Sequence, residues 1–424
     1  MDSQTLALEA IQKKLVGKTL SYKEIFAIMD EIANERLGDV LTTYFAASGY
    51  SNGFTDEEIY YLTRAMVETG DKLKFPGIVA DKHSIGGVPG TRTTLIVVPI
   101  VAAAGFTIPK SSSRAITTPG GTADDFEVIA DVELTKEQIY KVVEKTNGCI
   151  VWGGSVDIAP ADDIIIKVEA PLLFESFDKI LVSIMAKKIA FGSTHVVIDL
   201  PYGERVKVHD LKDAELLKKK FEKLAKRFGI KLQVLVHKTD EPAGRGIGPV
   251  LETRDSLRVL EQREDRPIDL EERALNLTGI LLDLCLEDAT KTLQEKIKNE
   301  FGDGRTWAKH ILSSGQALAK MKEIIKAQNG NPNITSSSLK PGKYSYHIIA
   351  KESGTMRKIH SKNVTAIAKI LGAPKDQKAG IYFEKKIGEK VQKGDILYTL
   401  YSQKENNLNE AKDSLKHFPI FLYN

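Results

Sequence analysis

The stretch Asp81-Lys82-His83-Ser84-Ile85-Gly86-Gly87-Val88-Pro89-Gly90-Thr91-Arg92-Thr93-Thr94 decides how this sequence is read. Before it, residues 77–81 are short and extended; after it, residues 93–104 are apolar at helical spacing. A glycine-rich turn between strand and helix lets the backbone approach an anion closely and aim successive N–H groups at it. The helix start adds the positive end of its dipole. Lys82 can neutralise a phosphate, and Ser84 and Thr93 can donate to its oxygens. The GK[ST] ending of a nucleoside-triphosphate P-loop is missing.

Working outward, a second donor-rich stretch follows the extended residues 106–109: Lys110-Ser111-Ser112-Ser113-Arg114-Ala115-Ile116-Thr117-Thr118-Pro119-Gly120-Gly121-Thr122. Alone it reads equally as a polar surface loop. At consecutive strand ends the two stretches read as walls of one anion pocket, because ligands of open α/β sheets gather there. Two such walls suggest more than one phosphate group.

The flanks set the fold class, which is α/β. Up to residue 74 the pattern is helical, with Leu6, Ile11, Leu15, Ile25, Ile28, Met29 and Ile32 at helical spacing. Strand and helix then alternate through residues 149–152, helix returns over 162–191, and strands at 195–200 and 231–237 flank a Lys-rich helix. Further helices are expected over about 254–264, 271–300 and 307–327. Turn residues cluster at Asn329-Gly330-Asn331-Pro332, and the rest is β-rich, with a hairpin signal at 386–395. The expected units are a helical lobe (1–74 plus 160–192), a mixed α/β lobe (75–159 plus 193–338) and a small C-terminal α+β domain (339–424), with a cleft between the first two.

Composition excludes several classes. Sixty basic and fifty-seven acidic residues are mixed along most of the chain, so no clustered basic face invites nucleic acid. No apolar run reaches membrane-spanning length, and no signal-peptide layout opens the chain. Two cysteines without ligand spacing argue against a disulfide framework or a structural zinc, and for a reducing, cytoplasmic setting. Gly244-Arg245-Gly246-Ile247-Gly248 begins like a dinucleotide loop but lacks its strand and last glycine. Residues 389–395 look like a biotinyl or lipoyl carrier hairpin without a modifiable lysine motif. His195 and His237 read as packed or capping residues, and Asp199 as either a site residue or a turn cap.

Lys82–Gly87, Ser112-Ser113-Arg114 and Gly120-Gly121-Thr122 together resemble the thymidine phosphorylase family of pyrimidine-nucleoside phosphorylases, and the local variants are closer to archaeal-type AMP phosphorylases. The resemblance runs from about residue 10 to about 412 and takes in Ser183-Ile184-Met185-Ala186-Lys187-Lys188. It implies a nucleoside phosphorylase or phosphoribosyltransferase type of fold. It also implies a pentosyltransferase that turns AMP and phosphate into adenine and ribose 1,5-bisphosphate, with CMP and UMP as further substrates. Inorganic phosphate is then a co-substrate, with no cofactor and no metal. Lys82, Ser84, Thr93, Ser112 and Thr122 would hold that phosphate. Gly87, Ser113, Arg114, Ala115, Ile116, Thr117, Thr118, Thr122, Ser183, Lys187 and Lys207 would contact the nucleotide.

Where the thymidine enzymes bind the pyrimidine with an arginine, this sequence has Val168, which argues against a strict thymidine or uridine enzyme. The archaeal-type enzymes protonate the leaving base with an aspartate; the matching residue here is Glu175. Its carboxyl, ordinarily near pKa ~4.3, would need the apolar surroundings of Leu172, Leu173 and Phe174 to hold a proton near neutrality. His83 is the other candidate proton donor or base contact. The family resemblance also implies a homodimer through the helical lobe, and the additional N-terminal domain of the archaeal enzymes is not expected here. Two alternatives stand beside this reading: a pyrimidine-nucleoside phosphorylase indifferent to the 5′-phosphate, and a nucleotide-binding sensor without turnover.

Overall fold

The computed structural model describes residues 2–86, 88–115, 118–169, 176–204 and 206–423. It opens with α1 (Ser3–Leu15), α2 (Tyr22–Ala33), α3 (Gly38–Asn52) and α4 (Asp56–Glu68). Capping boxes, Ser21 with Glu24 and Thr55 with Glu58, fix the starts of α2 and α4. The buried stripe Ile25, Ile28, Met29 and Ile32 of α2 packs with Phe45, Ile59 and Leu62. Each such side chain removed from water contributes roughly 1.5–3 kcal/mol.

The chain next builds β1 (Ala80–Ser84), α5 (Thr94–Ala103), β2 (Ile108–Ser112), α6 (Thr122–Glu127), α7 (Lys136–Thr146) and β3 (Gly148–Trp152). It then leaves the sheet for α8 (Pro160–Glu169) and α9 (Phe177–Ala190), which pack back on α2, α3 and α4. β4 (His195–Tyr202), α10 (Leu211–Arg227) and β5 (Lys231–Lys238) resume the sheet. β1-β4-β5 and β2-β3 pair in parallel, and a parallel bridge from Val79 to Thr107 joins them. The spatial order is therefore β3-β2-β1-β4-β5, with the direction of strand addition reversing at β1. Such a reversal opens a crevice at the carboxyl ends of the strands.

One face of this sheet shares a core with the helical lobe: Val196, Ile198 and Leu200 belong to the same apolar cluster as Ile28, Met185 and Phe221. The other face packs on α5, which is apolar all round and almost entirely buried. Around α5 lie α11 (Pro249–Leu260), α12 (Ile268–Leu286), α13 (Lys291–Glu300), α14 (Gly304–Ser313) and α15 (Gln316–Ala327), preceded by the short β6 (Gly246–Ile247). The helical stretch expected over 271–300 holds two helices, because Thr290 caps a new start. The stretch expected over 307–327 likewise holds two, separated at Gly315, whose φ of 82° leaves the helical region.

A third core, with Met356, Ile359, Ile367, Ile381, Phe383 and Leu400 at its centre, belongs to the C-terminal unit. Its elements are β7 (Tyr344–Ile349), β8 (Gly354–Ile359), α16 (Ser361–Leu371), β9 (Gly380–Phe383), β10 (Lys390–Val391), β11 (Ile396–Ser402), α17 (Glu405–Ser414) and β12 (Phe421–Tyr423). β9 and β11 pair antiparallel across residues 384–395, within which β10 pairs with β8. β6 adds to the edge of the larger sheet, in the order β6-β9-β11-β7, and so ties this unit to the α/β lobe.

Candidate active site

β1 is unusually polar for a central strand, and the period of two separates its side chains by face. Lys82 and Ser84 share one face: Lys82 Nζ lies 2.5 Å from Ser84 Oγ and 3.4 Å from Thr94 Oγ1. In register with Ser84 on β4 is Asp199, which accepts from Ser84 Oγ at 2.7 Å. The other oxygen of Asp199 meets His237 Nε2 of β5 at 2.6 Å, and Thr239 Oγ1 is 2.9 Å from His237 Nδ1. Arg273 of α12 donates to Thr239 at 3.2 Å. Burial pushes the Lys82 ammonium down to about 8, with the Asp199 carboxylate opposing the shift. Burial pushes Asp199 the other way, but His237 and Lys82 outweigh it and hold the carboxyl below its ordinary value.

On the opposite face Asp81 is fully buried and meets Lys188 Nζ of α9 at 2.5 Å and Lys110 Nζ of β2 at 3.5 Å. His83 lies on this side of β1. Burial, and then the charges of Lys188, Lys110, Lys82 and Lys187, push its imidazole well below the ordinary value. It is therefore neutral at pH 7, suited to giving or taking a hydrogen bond and poorly suited to releasing a proton. Burial likewise lowers Lys110, against the pull of Asp81.

Two hydroxyls at these strand ends have no protein partner. Thr93 Oγ1, just before α5, and Ser112 Oγ, the last residue of β2, are buried and make no hydrogen bond among the described residues. A buried unpaired hydroxyl costs about 1–3 kcal/mol, so both are suited to a ligand that supplies the missing partner.

The loop after β2 is tied by Asp124, which accepts from the backbone N–H groups of Ala115 at 2.7 Å and Gly121 at 2.8 Å. A Cβ on Gly121 would stand 2.6 Å from Ser113 O and Ala115 N, so only glycine closes this turn. Ser113 O accepts from Ala123 N, and Thr118 Oγ1 donates to Gly120 O at 2.8 Å. Thr122 is the first residue of α6. The Arg114 guanidinium is taken up by Glu127 (2.7 Å) and Glu133 (2.8 Å) and lies over the Trp152 ring. Its side chain braces the loop through these pairs.

The first loop is braced from below. Arg92 pairs with Asp125 and, at 2.7 Å, with Glu252 of α11, and donates to Gly120 O at 2.8 Å, so one guanidinium links both loops. Gly90 (φ 69°) accepts from Gly244 N at 2.8 Å, and Asp255 accepts from the N–H groups of Arg245 and Gly246. The Gly244–Gly248 stretch is thus a prop for the loop between β1 and α5.

From the helical lobe, α9 presents Ser183 and Lys187. Ser183 Oγ donates to Asp162 Oδ2 at 2.7 Å, and Lys187 Nζ lies 2.8 Å from the same oxygen. Burial opposes the Lys187 charge, but Asp162 and Asp163 outweigh it and keep the ammonium fully protonated. Lys207 is half-buried in the segment after β4, next to the bridge of Val208 to Tyr202. Glu175, Gly87, Ile116 and Thr117 lie outside the described residues.

The structure adds residues that sequence reasoning leaves aside. Lys110 and Lys188 join the cationic wall around Asp81, and Arg92 joins the two loops. His237, which the sequence reads as a packed or capping residue, meets Asp199. Arg273 stands behind both, with Nη1 buried and unpaired. Parallel register is the signal: Ser84 and Asp199 are opposed, and His237 lies two residues beyond the partner of Asp199.

The family described as Glycosyl transferase family, a/b domain, matches residues 76–318; its helical bundle domain matches 8–70, and the Pyrimidine nucleoside phosphorylase C-terminal domain matches 355–418. AMP phosphorylases of Methanococcus vannielii and Methanocaldococcus jannaschii are 43% and 44% identical to the chain over 406 and 405 residues, 96% of this chain and 78% of each relative. The chain belongs to the thymidine and AMP phosphorylase family. Within that family a protein of Legionella pneumophila named putative thymidine phosphorylase is 42% identical over 97% of this chain and 76% of its own length. Anthranilate phosphoribosyltransferase from Thermus thermophilus superposes with a TM-score of 0.62 at 18% identity, covering 76% of this chain and 99% of that one. That likeness concerns the fold alone.

Proposed function

We propose that the chain is a pentosyltransferase that cleaves nucleoside 5′-monophosphates with phosphate, converting AMP and orthophosphate to adenine and ribose 1,5-bisphosphate, with CMP and UMP also accepted. The observation that carries this reading is the pair of buried, unpartnered hydroxyls, Thr93 just before α5 and Ser112 at the end of β2, beside the strand β1 that carries buried Lys82. Together with Ser84 and Thr122 they form the donor set for an attacking phosphate, in a family whose AMP phosphorylases match over nearly the whole chain. Orthophosphate is a co-substrate in this reading, and no cofactor takes part.

An oxygen of the held phosphate forms the new bond to C1′ of ribose. The bond from C1′ to the base nitrogen breaks, and its electron pair leaves with the base. The cation-like C1′ is stabilised by the adjacent phosphate oxygens, and fixed positioning supplies much of the rate. Glu175 gives its proton to the departing base. Ser183 and charged Lys187, steadied by Asp162, contact the nucleotide, with the loop residues 113–118, Gly87 and Lys207. Neutral His83 contributes a hydrogen bond to the base. Val168 leaves the pyrimidine-specific arginine position apolar, which supports a broader choice of base.

The enzyme acts as a cytoplasmic homodimer. Val16, Val40, Tyr44 and Tyr50 are exposed large apolar or aromatic residues on or beside α1 and α3, which supports association through the helical lobe. The buried free thiols Cys149 and Cys285 support a reducing compartment. No described helix is long and apolar enough to cross a membrane. Comparing AMP with adenosine, and UMP with uridine, under saturating phosphate tests the substrate class. The reading expects turnover of the monophosphates alone; equal turnover of adenosine or uridine would replace it with a nucleoside phosphorylase.

A further inference from the structure

Away from the strand ends, a cavity of about 200 Å³ opens between α11, the segment before the C-terminal unit and the turn after α11. Arg254, Arg258, Arg263 and Lys340 line it, with Ser336, Ser337 and a single carboxylate, Asp265. Arg254 and Arg258 are four residues apart on one helical face, an arrangement that repels unless something neutral or negative intervenes. Arg258 is met by Asp265 (3.2 Å) and by Asp255 of its own helix (3.6 Å), and Asp265 is also taken up by Arg263 (3.0 Å). Arg254 has no carboxylate within 4.0 Å among the described residues, and its Nε is buried without a hydrogen-bond partner. Its guanidinium is fixed across the Tyr382 ring, whose hydroxyl accepts from Arg258 Nη1 at 2.9 Å. Lys340 is exposed at the rim.

A buried guanidinium N–H without an acceptor is costly, since buried polar groups ordinarily have a partner. Arginine's planar fork matches phosphate oxygens in particular. The volume is below the ~300–1,000 Å³ of drug-sized pockets, so the missing partner is small. We propose that this cavity is a second anion site, for orthophosphate or the phosphate group of a small ester, separate from the one at Lys82. α11 carries both its arginines and Glu252, the partner of Arg92 in the phosphate loop, so the two sites are built on one rigid element.

Equilibrium dialysis of the full chain against radiolabelled orthophosphate, and separately against ribose 5-phosphate, tests this. The wild type is expected to bind two orthophosphates per chain. Arg254→Gln with Arg258→Gln should remove one of them, and Lys82→Gln the other. Lys340→Ala, exposed and harmless to folding, should weaken the same site as the arginine pair about tenfold. The probe held more tightly at the Arg254 site identifies the source, free phosphate or ester. A single site abolished by Lys82→Gln and indifferent to the Arg254 and Lys340 variants would overturn the proposal. A single site abolished by the arginine variants and indifferent to Lys82→Gln would uphold it while removing support from the phosphate pocket of the preceding subsection.

Discussion

Lys188, in the last turn of α9, sits 2.5 Å from Asp81, the residue immediately before Lys82, with both side chains buried. This ion pair pins the helix that bears Ser183 and Lys187 to the strand that bears Lys82 and Ser84, the proposed phosphate ligands. Removing one member of a buried pair strands the other charge, at about 3–5 kcal/mol. Asp81 keeps Lys110 at 3.5 Å, so Lys188→Met should lower urea stability by part of that amount, and adding Asp81→Asn should restore some of it. Burial raises the Asp81 carboxyl, but Lys110 and Lys188 win and leave it lowered. Its contribution is then complete above the unfolded value of about 3.9 and is lost as pH falls through the lower folded value. The stability difference between wild type and Lys188→Met should vanish in strong acid.

Thr93 and Ser112 separate binding from stability. With no partner to lose, Thr93→Val and Ser112→Ala should leave the free protein as stable as before or roughly 1 kcal/mol more so. Each should nevertheless raise the KM for phosphate about tenfold or more, because a hydrogen bond to a charged group is worth about 1.5–3 kcal/mol. Thermal unfolding without phosphate, beside phosphate titrations of rate, checks both halves.

Lys82 gives the phosphate step a pH limb. Burial lowers its ammonium to about 8, so the free enzyme loses that charge as pH rises through that value. The KM for phosphate should climb from about pH 8 to about 9.5, by up to about tenfold per unit. Asp199 supports the ammonium, so Asp199→Asn should move the limb to lower pH.

Glu175 is the proposed proton donor. Glu175→Gln should cut kcat by about 10²–10⁴ with little change in the KM for phosphate, while Glu175→Asp keeps most of the rate. Retention of full activity by Glu175→Gln would move the role elsewhere, and neutral His83 is a poor heir to it.

The phosphate loop, the apolar helix behind it and the strand at 195–200 are legible because each is written in contiguous residues. Glycines mark the turn, and unbroken apolar runs mark what is buried on all sides. The first strand, expected at 77–81, is Ala80–Ser84. Asp81, Lys82, His83 and Ser84 carry little strand propensity, and pairing with β4 overrides it. The Ser84–Asp199–His237 line and the Lys188–Asp81 pair join residues more than a hundred positions apart or across three strands, where only register brings them together. The family resemblance places Arg114 among the nucleotide contacts. Glu127 and Glu133, thirteen and nineteen residues on, engage its guanidinium in the structure. Such pairing follows from how α6 and the turn after it fold back, which no local pattern announces.

The central claim is that one pocket holds a free phosphate and a nucleotide and joins them at C1′. Phosphorus NMR of the products formed from AMP and orthophosphate tests it most directly. Two phosphoester signals on a single pentose, growing as adenine is released, are the expected result. Ribose 5-phosphate with undiminished orthophosphate, or no reaction at all, would contradict the account.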